Sequence, residues 1–364
     1  MADKYNIDSH KLIYHPERVA NWVKGYEDWE KVKTIYPIYL EVSPFGACNH
    51  RCSFCAVDYI GYQNRSLNND IFKERLDEMK LLGVKSLMFA GEGEPTLWKY
   101  LPETLDHCTK VGINTSLTTN MVPFNDKNLD SFLRNCSLIK TSINAGTADT
   151  YSKIHRTKAG DFDRVMNNLK MCVERRKEKR YSCTIGSQIL LLPENAHEVI
   201  ILAEKLKAIG IDYLVVKPYS QHLSSITRQY EEIDYKPFLE LENQCQSLNE
   251  DNFNVIFRLR TMKKLFDADR SYQKCYSTPF FWGYIMSDGS VYGCSAFIGD
   301  DRFNYGNIHE ASFMDIWEGE KRKANYEYIK NQLSIVECRK NCRMDEINSY
   351  LWKLKHPDQH VNFI

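Results

Sequence analysis

Between residues 35 and 216 the sequence alternates short apolar runs with amphipathic segments of helical period. This alternation is typical of a parallel sheet whose strands are joined by right-handed helical crossovers. The runs predicted to be strands are one ending near Ser43, one at 84–90, one ending at Thr119, and those at 138–143, 184–192 and 213–216. We therefore predict an α/β fold with a partial (β/α)6 TIM-like barrel, in which reactive groups lie at the carboxyl ends of the strands.

The chain has 364 residues, which is longer than one typical domain. We expect an N-terminal cap at 1–34, the barrel at 35–235, and a small C-terminal α+β domain at 236–364. Lysine plus arginine equals aspartate plus glutamate at 48 each, so the net charge does not favour nucleic acid or a membrane as the partner. The sequence has no run of about 18 apolar residues and begins with polar residues, so we expect a soluble, cytoplasmic protein.

Three cysteines, Cys48, Cys52 and Cys55, fall within eight residues directly after the first predicted strand. Thiolates are soft ligands that bind iron-sulfur clusters or zinc. Three of them on one loop can hold three corners of a four-iron cluster and leave one iron open. A structural zinc site needs a fourth protein ligand, for which His50 is the local candidate, and zinc is therefore the alternative.

The CxxxCxxC spacing, with the aromatic Phe54 before the third cysteine, resembles the cluster loop of the radical S-adenosylmethionine (SAM) superfamily. The resemblance implies that Cys48, Cys52 and Cys55 hold a four-iron four-sulfur (4Fe-4S) cluster whose open iron is chelated by SAM. It also implies one-electron cleavage of SAM to a 5′-deoxyadenosyl radical, with Phe54 against the adenine. Core packing is the alternative role of Phe54.

The segment Gly91-Glu92-Gly93-Glu94-Pro95 follows the second predicted strand and is similar to the glycine-glutamate motif of that family. There, backbone carbonyls and a glutamate accept hydrogen bonds from the SAM ammonium, and glycine permits close approach. Capping of the next helix is the alternative. The other SAM contacts that the resemblance implies are Asn120, Ser142, Asn144, Arg156 and Gln188. Strand-end asparagine and serine are also ordinary turn formers.

A second set of cysteines, Cys275, Cys294, Cys338 and Cys342, lies in the C-terminal part of the chain. A hairpin with Asp288-Gly289 at its turn is predicted between the first two. A long helix predicted at 312–332 leads to the last two, whose spacing places them on one face of a helical turn. Four such thiols can saturate a zinc ion or an iron-sulfur cluster.

The Cys-x13-Gly-x4-Cys spacing that starts at Cys275 resembles the auxiliary-cluster extension of radical SAM enzymes. Two forms of this extension exist, a longer SPASM domain with two clusters and a shorter twitch domain with one. Four cysteines are too few for two clusters, so the resemblance implies a twitch-like or SPASM-like domain with one fully ligated 4Fe-4S cluster. Zinc at this second site is the alternative.

Three functions are compatible with these motifs. In the first, the radical takes hydrogen from a small polar metabolite such as a sugar, aminocyclitol or nucleoside, and the auxiliary cluster accepts an electron, or the substrate is epimerised. In the second, the substrate is a ribosomal peptide that is oxidised, cross-linked or epimerised. In the third, the protein is a non-catalytic iron-sulfur or zinc scaffold. We favour the metabolite because the 34 residues before the barrel contain no winged-helix pattern for peptide recognition.

Candidate proton acceptors for such a reaction are Lys217 and Tyr219, which follow the sixth predicted strand, and Glu92. A lysine that leaves a barrel strand is more often solvated or ion-paired than catalytic. An epimerase would also need a thiol hydrogen donor, and Cys183 is the candidate, although isolated cysteines in apolar runs usually pack as small hydrophobes. The expected electron donor is a flavodoxin or ferredoxin.

Overall fold

The computed structural model describes residues 5, 7, 9–267 and 270–363. The strands are β1 (Tyr39–Val42), β2 (Ser86–Phe89), β3 (Asn114–Thr119), β4 (Cys136–Ser142), β5 (Thr184–Leu191), β6 (Tyr213–Pro218), β7 (Asn254–Phe257), β8 (Trp282–Ile285), β9 (Ser290–Tyr292) and β10 (Asn304–Asn307). Within the described residues these ten strands form one sheet in the order β10-β9-β8-β1-β2-β3-β4-β5-β6-β7.

The α-helices connect and cover these strands. They are α1 (Pro16–Gly25), α2 (Trp29–Val32), α3 (Asn69–Leu81), α4 (Leu101–Val111), α5 (Asp126–Asn135), α6 (Ala148–His155), α7 (Asp161–Lys179), α8 (Val199–Ile209), α9 (Leu241–Ser247), α10 (Leu259–Asp267), α11 (Phe313–Glu318), α12 (Glu320–Asn331) and α13 (Asp345–Lys355). Between β1 and β6 strands alternate with helices, as the apolar periodicity predicts.

The strands from β1 to β6 run parallel, which confirms the predicted α/β partial barrel. The parallel sheet is nevertheless larger than the prediction. β7 pairs parallel with β6 at one edge, and β8 pairs parallel with β1 at the other. Both strands come from the segment predicted to form a separate C-terminal domain, so the two parts of the chain share one sheet. Neither strand lies within the regular strand-helix alternation, which is why periodicity did not identify them as barrel strands.

The two faces of the parallel sheet differ in chemistry because successive side chains of a strand point to opposite sides. The outer face packs against the helices with fully buried residues such as Leu40, Leu87 and Leu117. The inner face carries polar and charged side chains together with apolar ones such as Met88 and Leu190, and it encloses a space that we call the lumen. The lumen is defined here by Glu41, Ser116, Lys140, Gln188 and Lys217, which alternate along their strands with buried outer residues.

The C-terminal part contains the predicted hairpin between β8 and β9, with Gly289 at φ 88° in its turn. The predicted helix at 312–332 is instead two helices, α11 and α12, separated by the extended Gly319. A Cβ at Gly319 would lie 2.5 Å from the carbonyl oxygen of Asp315, so the break requires glycine. The prediction that Cys338 and Cys342 share a helical face is wrong, because both lie in the irregular segment before α13.

The N-terminal helices pack mainly against the C-terminal part of the chain. Trp22 of α1 and Tyr26, which directly follows this helix, form aromatic contacts with Tyr276. The buried guanidinium of Arg322 donates hydrogen bonds to the carbonyls of Pro279, Lys33, Trp317 and Ile35, and so links the N-terminal segment to α12. Across residues 5, 7, 9–267 and 270–363, no helix is both long enough and apolar enough to cross a bilayer.

Candidate active site

The cluster loop of Cys48, Cys52 and Cys55 begins after β1 at the carboxyl edge of the sheet. Its backbone is anchored on the last turn of α6, since the Ser53 N–H donates to the carbonyl of Ile154 at 2.8 Å. The three thiols are free and partly exposed, unlike the five isolated cysteines of the chain, which are fully buried. Burial raises the pKa of Cys48 to about 12. Burial and then the neighbouring thiols raise the pKa of Cys52 well above its usual value.

The side chains around these thiols show which of the two predicted groups, an iron-sulfur cluster or a zinc ion, the site fits better. One ligand atom each of His50, Cys52 and His155 lies within 4.8 Å of the others, so a histidine could in principle complete a metal shell. His155 Nε2, however, accepts the N–H of Asn144 at 3.2 Å, and its Nδ1 lies 3.4 Å from Cys52 Sγ. His50 Nε2 lies 3.5 Å from a carboxylate oxygen of Asp161. The donor set therefore fits a cluster held by three thiols with one open corner.

The glycines of the segment 91–95 pack directly against the start of the cluster loop. Gly91 has φ 128°, and a Cβ there would lie 2.4 Å from the Cβ of Ser43. A Cβ at Gly93 would lie 2.3 Å and 2.4 Å from the carbonyl oxygens of Phe45 and Ala47. Only glycine allows this approach, which places the segment beside the cluster loop.

Glu94 links this segment to the end of β3. Its buried carboxylate accepts hydrogen bonds from the hydroxyls of Thr96 and Thr119, both at 2.6 Å, and from the Asn120 N–H at 2.8 Å. The Asn120 side chain in turn donates to Asn49 of the cluster loop at 2.7 Å. The structure thus brings the predicted residues Glu94 and Asn120 to the cluster loop, although the Glu94 carboxylate is already engaged by the protein.

The other predicted SAM contacts lie on the neighbouring strands and on α6. Gln188 donates to the Ser142 hydroxyl at 2.9 Å, and both face the lumen. Asn144 is buried, and its side-chain oxygen Oδ1 accepts the N–H of Leu190 at 2.7 Å, which is a structural contact. Arg156 is exposed at the C-cap of α6 and forms no ion pair with the described part of the chain. The Phe54 ring meets His155 edge to face. All of these SAM-binding roles stay predictions.

The predicted catalytic residues separate into two groups. Lys217 and Tyr219 lie at the end of β6, and burial, followed by the charge of Lys140, lowers the pKa of Lys217 well below its usual value. Burial raises the pKa of Tyr219 to about 12. Glu92 is buried and its carboxylate pairs with Arg65 at 3.2 Å. Cys183 precedes β5 at the opposite end of the barrel and is buried, which does not suit a hydrogen donor.

The second set of cysteines comes together in space although it is spread along the chain. Cys275, Cys294 and Cys342 pack around one buried group of aromatic side chains that includes Trp282 and Tyr284. Burial raises the pKa of Cys338 to about 12, and the thiols of Cys275 and Cys342 contribute to this rise. All four thiols are free and partly exposed. This donor set can close the coordination shell of a cluster without any other ligand.

Family comparisons agree with both cysteine sites. The radical SAM superfamily model matches residues 42–206, and the model of the SPASM iron-sulfur cluster-binding domain matches residues 275–343. The protein is a radical SAM enzyme with a SPASM domain. The matched ranges contain Cys48, Cys52 and Cys55 in the first case and all four later cysteines in the second.

Two similar proteins of established name are matched along most of their length. The tungsten-containing aldehyde ferredoxin oxidoreductase cofactor-modifying protein of Pyrococcus furiosus is 24% identical over 83% of this chain and 86% of its own. The Fe-coproporphyrin III synthase of Methanosarcina barkeri is 23% identical over 87% of this chain and 79% of its own. This radical SAM enzyme is thus similar to proteins of different named activities.

A solved structure shares the fold. Streptococcus suis SuiB bound to its precursor peptide SuiA aligns with a TM-score of 0.68 and 19% identity, over 91% of this chain and 75% of that chain. SuiB has also been solved with bound SAM, and that structure aligns with a TM-score of 0.64 and 20% identity, over 90% of this chain and 75% of that chain. The alignment supports the combination of a partial barrel and a SPASM domain in this radical SAM enzyme.

Sequence reasoning missed several charged residues of the site. Arg343, which directly follows Cys342, pairs with Glu41 of β1 inside the lumen. Lys140 also faces the lumen, and burial lowers its pKa to about 8. Glu41 and Lys140 are charged residues within otherwise apolar strands, and this signal could have identified both. His155 contacts Cys52 from a distant segment, and no local pattern indicates that contact.

Proposed function

We propose that this radical SAM enzyme oxidises a peptide, with the SPASM cluster accepting an electron from the substrate. SAM and two 4Fe-4S clusters are its cofactors. In this proposal Cys48, Cys52 and Cys55 hold one cluster, and the four later cysteines hold the other. When bound, the first cluster and SAM supply a 5′-deoxyadenosyl radical that removes a hydrogen atom from the substrate. A flavodoxin or ferredoxin is the proposed reductant.

A groove at the barrel mouth is the observation that favours a peptide substrate. It has a volume of about 670 Å³ and is lined by residues of the segments 219–236 and 336–341. One wall therefore follows β6, and the other contains Cys338 of the SPASM domain. Leu223 and Val336 line the groove with 38% and 88% of their surfaces exposed. An open groove with apolar residues in its walls suits an extended chain better than a small sugar.

The names of similar proteins do not decide the substrate by themselves. SuiB binds a precursor peptide, whereas the Methanosarcina barkeri protein is named for a porphyrin product. The small polar metabolite favoured by the sequence remains the second candidate, because the lumen is lined by polar and charged side chains. The peptide is preferred because the groove is open to the surface and carries exposed apolar side chains in both walls.

The proposal is tested with anaerobically reconstituted enzyme, SAM and a chemical reductant. One arm receives a library of random twelve-residue peptides, and the other receives a panel of sugars, aminocyclitols and nucleosides. We expect the peptide arm to increase 5′-deoxyadenosine formation and to give a product two mass units lighter than its parent peptide. The peptide loses a hydrogen atom to the radical, an electron to the SPASM cluster and a proton to solvent. Stimulation by the metabolite panel alone would overturn the peptide proposal.

A substitution in the groove wall tests whether the peptide binds there. Leu223→Asp places a charge in the groove wall and should reduce stimulation by peptides. Leu81→Asp is the matched control, because Leu81 is an exposed leucine at the end of α3, away from the groove. Equal stimulation in both variants would show that this groove does not bind the peptide.

A further inference from the structure

We propose that Asp58 is a positioning residue that holds one wall of the groove at a fixed place relative to the first cluster. This wall consists of residues 220–230, which follow β6, and we call it the β6 wall. Asp58 lies shortly after Cys55, in a short 3-10 helix that follows the cluster loop. The inference rests on the proposed function, since it says what keeps a substrate in this groove aligned with the radical.

The β6 wall lies entirely within the described part of the chain and contains neither helix nor strand. The side chain of Gln221 donates to the carbonyl of Thr227 at 3.0 Å, and the side chain of Arg228 donates to the carbonyl of Leu223 at 2.8 Å. These bonds close the wall into a compact loop, but they do not attach it to the barrel. Such a loop keeps its place through contacts with other elements.

The carboxylate of Asp58 supplies contacts of this kind. One of its oxygens accepts hydrogen bonds from the Ser225 hydroxyl and from the Ile226 N–H, both at 2.9 Å. The other oxygen accepts the N–H of Thr227, also at 2.9 Å. Hydrogen bonds to an ionised carboxylate are about twice as strong as neutral ones. Ile226 is 73% exposed, so burial of its side chain does not hold the tip of the wall in place.

Two neighbouring contacts place the wall against both cysteine sites. The ring of Tyr59, next to Asp58, stacks on the ring of His222 with centroids 5.0 Å apart and an interplanar angle of 24°. The Nε2 atom of His222 lies 2.8 Å from the carbonyl oxygen of Ser295, which directly follows Cys294. The β6 wall therefore lies between the segments that carry the two sets of cysteines.

The ends of the wall have attachments that do not involve Asp58. The hydroxyl oxygens of Ser53, in the cluster loop, and Tyr230 are 3.1 Å apart. The hydroxyl of Ser220 donates to the carbonyl of Asn341 at 3.3 Å. Loss of the Asp58 carboxylate should therefore release residues 223–227, while the ends of the wall stay attached and the barrel stays folded.

The part that would be released includes Leu223, which lines the groove. Hydrogen transfer requires the reacting carbon to be close to the radical, so a displaced wall should leave the substrate in unproductive positions. SAM would still be cleaved, but fewer substrate molecules would be oxidised for each 5′-deoxyadenosine. Asp58 thus acts through the position of the wall and not by contact with the substrate.

The first test compares Asp58→Ala and Asp58→Asn with the wild type, as reconstituted enzymes supplied with the library of random twelve-residue peptides. The measured ratio is the amount of oxidised peptide per 5′-deoxyadenosine. In Asp58→Ala this ratio should fall at least about threefold. Asp58→Asn keeps one oxygen acceptor and should restore part of it. Glu204→Ala removes an exposed carboxylate from the outer helix α8 and is the control, with an unchanged ratio. A loss of stability alone would lower both products together and leave the ratio unchanged.

The second test follows the wall itself, by hydrogen exchange and mass spectrometry of the same proteins without substrate. Residues 223–227 should exchange at least about tenfold faster in Asp58→Ala than in the wild type, because two backbone N–H groups lose their acceptor. Unchanged exchange, or faster exchange with an unchanged product ratio, would overturn the proposal. If the metabolite panel stimulates SAM cleavage and the peptides do not, the ratio is measured with that panel, so failure of the peptide proposal is seen separately.

Discussion

The two cysteine sites of this protein are built in different ways. Cys48, Cys52 and Cys55 lie on one loop of eight residues, and they leave one corner of a cluster open. The four SPASM cysteines span residues 275–342, approach through the tertiary fold, and can close a cluster completely. An open site serves a cofactor that must bind and react, whereas a closed site serves structure or electron transfer. Variants that remove one site at a time test this difference.

The largest effect is expected from the triple variant Cys48→Ala, Cys52→Ala and Cys55→Ala. Wild-type protein should bind about eight irons per chain after anaerobic reconstitution, and the variant about four, because each 4Fe-4S cluster holds four. Formation of 5′-deoxyadenosine should be abolished, since only the open cluster binds SAM. Iron analysis and chromatography of the products measure both effects.

The matched control replaces all four SPASM cysteines by alanine. This variant should also bind about four irons, but it should still cleave SAM without a substrate. Loss of SAM cleavage in both variants would contradict the division of roles between the sites.

The second expected effect concerns stability. The SPASM ligands join segments that are far apart in sequence, so cluster binding contributes directly to folding of the C-terminal part. The quadruple alanine variant should exchange its amide hydrogens at least about tenfold faster in residues 276–292 and 338–355. The triple variant should not show this change, because the last turn of α6 holds its loop through backbone hydrogen bonds. Hydrogen exchange measured by mass spectrometry makes the comparison.

The same difference explains what the sequence could predict. The open site is local, so the spacing of three cysteines and one aromatic residue was enough to identify it. The six barrel strands follow from apolar periodicity, which is also local. The pairing of β8 with β1, the break at Gly319 and the placement of Cys338 depend on contacts between distant segments. The contact between His155 and Cys52 likewise joins residues that are 103 positions apart.

The third effect is a pH dependence of the lumen between the two sites. The pKa of Lys140 is lowered to about 8 by burial and then by nearby cations, so this lysine is charged below pH 8 and neutral above it. Lys217, Arg258, Arg343 and Glu41 are the charged or titratable groups that face it. Between pH 8 and the ordinary lysine pKa of 10.5 the unfolded chain binds more protons at this position than the folded protein, so the free energy of unfolding should rise with pH across that range. Denaturant unfolding of the anaerobically reconstituted protein at several pH values measures the rise, and it should be smaller in Lys140→Met.

The smallest expected effect concerns the reduction potential of the open cluster. It tests whether the side chains around this cluster set its potential independently of the closed SPASM cluster. Because the Asn144 N–H donates to His155 Nε2, the proton of this imidazole lies on Nδ1 and points at Cys52 Sγ. An N–H donor stabilises the more negative, reduced cluster, so His155→Phe should lower the reduction potential of the open cluster by about 50 mV. This is about a sevenfold change in the ratio of reduced to oxidised cluster for one electron.

Redox titration followed by electron paramagnetic resonance resolves the two clusters, and the SPASM cluster is the internal control. His155→Gln retains an N–H donor and should restore part of the shift, whereas equal shifts in both clusters would show that the hydrogen bond is not the cause.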